Sequence, residues 1–347
     1  MNITQIGIDL AKNVFQIHGV DARGKAVLRK PLRRAQVIAF FVQQPPCLIG
    51  MEACGGAHFW ARKLTELGHT VKLMAPQFVK PYVKTNKNDA ADAEAICEAV
   101  GRPNMRFVPI KNLEQQALLG LHRARQGFVS ERTAQGNQIR GLLAEFGLVM
   151  PVGIRAIERQ LPQILADAQN GLSGVSRALF ARLLEHFRTL TRQVKELERE
   201  LTACHGTDSA SQRLQAIPGI GPLTASALVA SVGDARVFHN GRQFAAWLGL
   251  VPRQSSSGGK SNLLGISKRG DSYLRTLLIH GARAVLWSAK RRANQAQDWL
   301  ARVAARRNPN IAAVALANKN ARTVWALLAH GREYQAGYRS RSVAALT

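Results

Sequence analysis

Four acidic residues in the first hundred positions stand where carboxylates do chemistry. Asp9 ends the apolar run in IGIDLAK, and a carboxylate among apolar neighbours is costly to bury unless it is paired or holds a cation. Glu52 closes a second apolar run, LIGME, just before Gly55-Gly56, so it emerges at a strand end, where sites commonly form. Asp89 and Asp92 in KNDAADAEAI are three apart on a predicted helix and share one face. Singly, Asp92 reads as helix decoration and Glu52 as a turn cap. As a set, four hard oxygen donors from separate elements make a natural Mg2+ site, and one or two such ions serve in-line displacement at a phosphodiester.

A second constellation is PRQSSSGGKSNLLGISKRGD, residues 252–271, in which small polar residues are bracketed by Arg253, Lys260, Lys268 and Arg269. It reads either as a flexible Ser/Gly linker or as a loop aimed at phosphate. The compact helical signal FAAWLGLVP before it favours the loop. A serine hydroxyl attacking a phosphodiester gives a covalent protein–DNA ester, which conserves bond energy so that strands rejoin without ATP. No GxxxxGK[ST] phosphate loop is present, in keeping with that economy.

These residues need elements to position them. Apolar alternation before residue 35 predicts a β-meander, followed by a helix in RRAQVIAFFVQQ, a strand in CLIGMEA, a helix over 57–67, a strand in TVKLMAP and a helix over 89–100. That alternation predicts an α/β domain with a mixed sheet over residues 1–105. From Leu113 long helices take over, giving a helical region over 106–208. Within it Leu183, Phe187, Leu190, Val194, Leu197 and Leu201 alternate in steps of four and three. The seam reads equally as a dimerising coiled coil or as an amphipathic helix packed within its own chain. The third region, 209–347, opens with PGIG leading into a helix begun by Pro222, either a helix–helix turn or a helix-hairpin-helix phosphate grip.

Composition narrows the partners. The 347 residues carry 48 Lys and Arg against 22 acids, a formal charge of +26, and 46% are hydrophobic, as in a folded chain. Such an imbalance calls for a polyanion. Residues 241–347 alone hold 18 Lys and Arg against Asp271, Asp298 and Glu333. Arg291, Arg292, Arg302, Arg306 and Arg307 fall on predicted helix with Trp287 and Trp299 interleaved, as on a surface that follows a phosphate backbone. No run is apolar enough to span a bilayer, and no signal peptide opens the chain, so a cytoplasmic, nucleoid-associated protein is expected. Cys47, Cys54, Cys97 and Cys204 lack zinc or disulfide spacing and are expected as buried thiols.

The ordered motifs GIDLAK, GMEACGG, KNDAADA, PGIGPLTA, FAAWLGLVPRQSSSGGK and ISKRGDSYLR together resemble the DEDD-type insertion-sequence transposases, the family of the Piv-like invertases and bridge-RNA-guided recombinases. The resemblance spans nearly the whole chain. It implies a RuvC-like domain of ribonuclease-H fold at the N-terminus, with Asp9, Glu52, Asp89 and Asp92 as its Mg2+ tetrad. It implies a catalytic serine just before glycine, which maps to Ser257, with Ser255 and Ser256 as neighbouring registers. It further implies dimers and tetramers, in which the carboxylates of one subunit complete the serine site of another, and a noncoding guide RNA that selects DNA by pairing. A Holliday-junction-resolvase-like nuclease and a non-enzymatic nucleic-acid-binding protein are the competing readings. A sugar kinase would share the opening GID strand but would need an α/β second half.

Overall fold

The computed structural model describes residues 2–84, 88–291 and 299–338 and divides into two compact units, Met1–Gln115 and Gln116–Thr347. In the first, β1 (Gln5–Asp9), β2 (Val14–Val20) and β3 (Ala26–Arg33) form the expected meander. Then come α1 (Val37–Val42), β4 (Leu48–Glu52), α2 (Ala57–Glu66), β5 (Thr70–Met74), the short α3 (Pro76–Val79), α4 (Asp89–Val100) and β6 (Phe107–Val108). The six strands make a mixed sheet in the order β3-β2-β1-β4-β5-β6, with β1, β4 and β5 parallel. β1 and β4 read as unbroken apolar runs because both faces of the sheet are covered. Ile6 and Ile8 enter a core with Phe41, Trp60 and Leu64, while the alternate residue, Gly7, faces α4 on the other side.

The second unit is mostly helical, with α5 (Leu113–Ala144), α6 (Ile154–Ala166), α7 (Gly174–Thr207), α8 (Ser209–Gln215), α9 (Pro222–Val232) and α10 (Gly241–Trp247). A two-stranded hairpin, β7 (Pro252–Gln254) and β8 (Leu263–Ile266), separates these from α11 (Ser272–Arg291), α12 (Trp299–Arg306) and α13 (Pro309–His330). One core joins α5, α6 and α7 through Ile139, Leu143, Ile157, Leu161, Phe180 and Phe187. A larger one gathers α8 to α11 and α13 around Phe244, Leu278, Leu286 and Val324. Phe187, Leu190, Val194 and Leu201 of the heptad seam are buried and Leu183 and Leu197 half-buried, all under helices of the same chain.

The PGIG segment forms the turn between α8 and α9, and its Gly219 lies backbone to backbone against Gly281 of α11, where a Cβ on either residue would overlap the other's carbonyl. Buried Asn320 holds the same turn by donating to Pro218 O at 2.9 Å. The cysteines correct the expectation of four buried thiols. All are free, but only Cys47 and Cys97 are buried, and burial pushes both thiols up to about 11, whereas Cys54 and Cys204 are exposed. No helix among the described residues is long and apolar enough to cross a membrane.

Candidate active site

The acids come together because two strands and one helix are forced into close register. β1 and β4 run parallel with Ile6 beside Ile49, Gly7 beside Gly50 and Ile8 beside Met51, so Asp9 and Glu52 each lie one residue beyond a paired position. The paired glycines make a shallow floor on which α4 rests. A Cβ on Gly7 would overlap the backbone at Ala93 and Cys97, and one on Gly50 would meet Val100 Cβ at 2.7 Å. Ala93, Cys97 and Val100 thus set the face of α4 that meets the sheet, and Asp89 and Asp92 lie on its first turn beside the strand ends. Asn88 caps that turn by accepting from the Ala90 N–H at 2.9 Å, which fixes where the helix starts.

The result is a convergent acidic cluster. Ligand oxygens of Asp9, Asp89 and Asp92 all lie within 4.8 Å of one another. Glu52 borders them: burial first, then the Asp9 and Asp92 carboxylates, push its carboxyl above the ordinary range. Although Cys54 is exposed at the surface, partial desolvation of its thiol, and then the Glu52 and Asp9 charges, raise that thiol as well. Like charges held this close repel unless a cation is shared among them. An all-carboxylate donor set is hard in character, so the residues present fit a Mg2+-class ion better than a zinc-class one.

In the second unit, what was read as a loop is a hairpin with a locked root and an exposed tip. The Ser255 N–H donates to Asn262 O at 2.9 Å, and the Lys260 N–H donates to Ser257 O at 3.0 Å, closing a tight turn over Gly258 and Gly259. Both glycines take positive φ, 55° and 77°, the geometry that two-residue hairpin turns require and that glycine supplies without strain. At the root, Gly249 and Gly270 also have positive φ, and a Cβ on either would overlap backbone of the opposing turn, at Arg269 and Trp247 respectively. Ser267 N–H donates to Val251 O at 2.8 Å and Lys268 N–H to Gly249 O at 3.1 Å, which completes the clasp.

The three serines differ in their bonding. Ser256 Oγ accepts from Gln254 Nε2 at 2.9 Å and from the Asn262 N–H at 3.4 Å. The Ser255 and Ser257 hydroxyls have no hydrogen-bond partner among the described residues, and Ser257 stands beside the turn glycines. Arg253, Lys260, Lys268 and Arg269 are all exposed around the hairpin. Arg292 lies outside the described residues, as does the side chain of Arg291.

Sequence reasoning passed over Gly7 and Gly50. The signal was present, since the pattern Ile-Gly-apolar-acid occurs twice, at 6–9 and 49–52. It also passed over a polar link buried between helices of the second unit. His122 of α5, 1% exposed, sits 3.0 Å from Tyr273 Oη and 3.1 Å from Ser226 Oγ. Ser226 donates to Pro222 O at 2.8 Å, so it accepts from His122 Nε2–H, and Nδ1 accepts from Tyr273. Tyr273 opens α11 directly after the hairpin, so this neutral histidine ties the hairpin's exit helix to α5 and α9.

Comparison with known proteins gives the same assignment over both units. A transposase profile of the DEDD IS110 type matches residues 6–147, and the profile described as "Transposase IS116/IS110/IS902 family" matches residues 211–297. A "Probable family 20 transposase" of Pseudomonas aeruginosa is 55% identical over 97% of this chain and all of its own length. The "Transposase for insertion sequence element IS1328" of Yersinia enterocolitica is 46% identical over 95% of this chain and 98% of its own. The IS1111A transposase of Coxiella burnetii is likewise 46% identical, over 97% and 92%.

Proposed function

The chain belongs to the DEDD-type insertion-sequence transposases of the IS116/IS110/IS902 family, enzymes that cut and join DNA, and on that premise we propose that it works through a serine ester assisted by Mg2+. The observation that carries this reading is the mutual 4.8 Å approach of the Asp9, Asp89 and Asp92 ligand oxygens. With Glu52 these residues hold the ion. When bound, it supplies charge neutralisation at a phosphodiester and polarises the scissile phosphoryl oxygen.

Ser257 Oγ is the nucleophile. It forms a bond to phosphorus as the bond to one sugar oxygen breaks, and that oxygen leaves as a hydroxyl carrying the proton lost by the serine. The reverse attack by an incoming sugar hydroxyl restores the serine and joins new strands. The tight turn over Gly258 and Gly259 presents this side chain, while Ser256 is occupied in bracing the hairpin. Arg253, Lys260, Lys268 and Arg269 hold the flanking phosphates, and Arg291 and Arg292 extend that contact. Residues 1–105 act as the RuvC-like metal domain, 106–208 as the helical linker, with any dimer contact there made by surfaces other than the α7 seam its own chain covers, and 209–347 as the serine domain. Assembly into dimers or tetramers and choice of target by a noncoding guide RNA belong to this reading, by likeness to the family; the strong basic charge suits such an RNA.

The test is incubation with Mg2+ and element-end DNA followed by denaturing electrophoresis. The wild-type chain forms a protein–DNA adduct, Ser257→Ala forms none, and Asp9→Ala loses cleavage altogether. Cleavage by Ser257→Ala with no adduct in either protein would instead assign a metal-activated water and a resolvase-like nuclease.

A further inference from the structure

From the exposed face of α11 we infer a second nucleic-acid site, in which Trp287 stacks on an unpaired base of single-stranded DNA while Arg283 holds an adjoining phosphate. The helix is two-sided. Leu274, Leu278, Ala282 and Leu286 are buried in the larger core, and Arg283, Ala284, Trp287 and Ser288 are exposed on the opposite face. These four residues line an open recess of about 500 Å³ on the helix surface.

Trp287 is 72% exposed, an expensive way to place an indole unless something covers it. Arg283 lies one helical turn away on the same face, and its Nη2 donates to Asn310 Oδ1 at 3.2 Å, so the guanidinium is steadied beside the indole. The occupant is set by charge. α11 contains no acidic residue, and the segment from 241 onward is overwhelmingly basic. An aromatic face with a fixed cation next to it matches a nucleotide: flat base on one side, anionic phosphate on the other.

Pairing state follows from geometry. In a duplex both faces of a base are covered by neighbouring pairs, so an indole gains a partner only where pairing is lost. Cutting and joining DNA releases such strands. The inference rests on family membership for the choice of DNA, and on neither the carboxylates nor Ser257, so it stands or falls apart from the proposed chemistry.

The experiment compares binding of oligothymidylate, a duplex and oligouridylate at one salt concentration, using the full chain, Trp287→Ala and Trp287→Phe, with circular dichroism to show that each variant is folded. Expected is a loss of about tenfold in oligothymidylate affinity for Trp287→Ala, from the ~1–3 kcal/mol that a stacked base contributes. Trp287→Phe should retain most of the affinity and lose most of the indole fluorescence quench expected of the wild-type chain on binding. Duplex affinity stays within about twofold for both variants. Unchanged oligothymidylate affinity in Trp287→Ala, or equal losses on single strand and duplex, overturns the site. Tighter Trp287-dependent binding of oligouridylate overturns its assignment to DNA.

Discussion

At the scale of single residues, two titratable groups give tests that separate structure from chemistry. His122 is held neutral: burial, and then the Arg125 charge, bring its pKa down to about 4 from an ordinary 6.5. Between those values the unfolded chain binds the extra proton and the folded one does not, so stability is complete above pH 6.5 and falls as the pH drops toward 4. By pH 5 the loss amounts to roughly 2 kcal/mol. Melting curves from pH 7 to 5 should therefore fall less steeply for His122→Asn than for the wild-type chain. Glu52 has the opposite character. Its raised carboxyl pKa means that burial first, and then Asp9 and Asp92, disfavour the ionised form, so Glu52→Gln should melt at a higher temperature without divalent ions. The same variant should gain less than the wild type when Mg2+ is added, the trade of stability for function common at such sites. Asp9 and Glu52 stood out in the sequence because isolated charges ending apolar runs have few structural uses, and Asp89 and Asp92 because their spacing sets both on one helix face. His122 was not, because a lone histidine carries no pattern and its partners come from helices more than a hundred positions away.

At the scale of elements, the site depends on glycines that contribute no side chain. Gly7→Ala pushes α4 off the sheet and should cost about 1–3 kcal/mol, the usual penalty for overpacking. It should also weaken divalent-ion binding followed by calorimetry, because Asp89 and Asp92 move with the helix. Gly270→Ala combines a positive φ of 102° with a backbone overlap, and should cost about 1–3 kcal/mol while lowering adduct formation by loosening the hairpin root. The longer strands and helices of the first unit were readable from periodicity, down to the limits of α4, but the four-residue α3 was not. The β7–β8 hairpin was not. Its strands are three and four residues long, exposed, and separated by Ser and Gly, so neither alternation nor an apolar face marks them. Two-residue β6 escaped for want of length. The seam of α7 shows the reverse difficulty, since a heptad pattern looks the same whether the covering helix is its own or a partner's.

At the scale of the whole molecule, charge was plain from composition, and it dictates how binding must respond to salt. Each phosphate contact removed should reduce the slope of log affinity against log salt by about 0.9. Replacing Arg253, Lys260, Lys268 and Arg269 with Gln, one after another, should flatten that slope stepwise on duplex DNA in a titration series. A variant that weakens binding without changing the slope has altered shape, and not phosphate contact. The paired glycines of β1 and β4 have a last consequence that concerns how the sheet is built. Sliding one strand past the other by a single position would set a bulky side chain where α4 must lie, and the helix could not dock. Only the alignment that pairs Gly7 with Gly50 leaves room for α4, so docking of the helix and the side-by-side placing of Asp9 and Glu52 are one and the same condition.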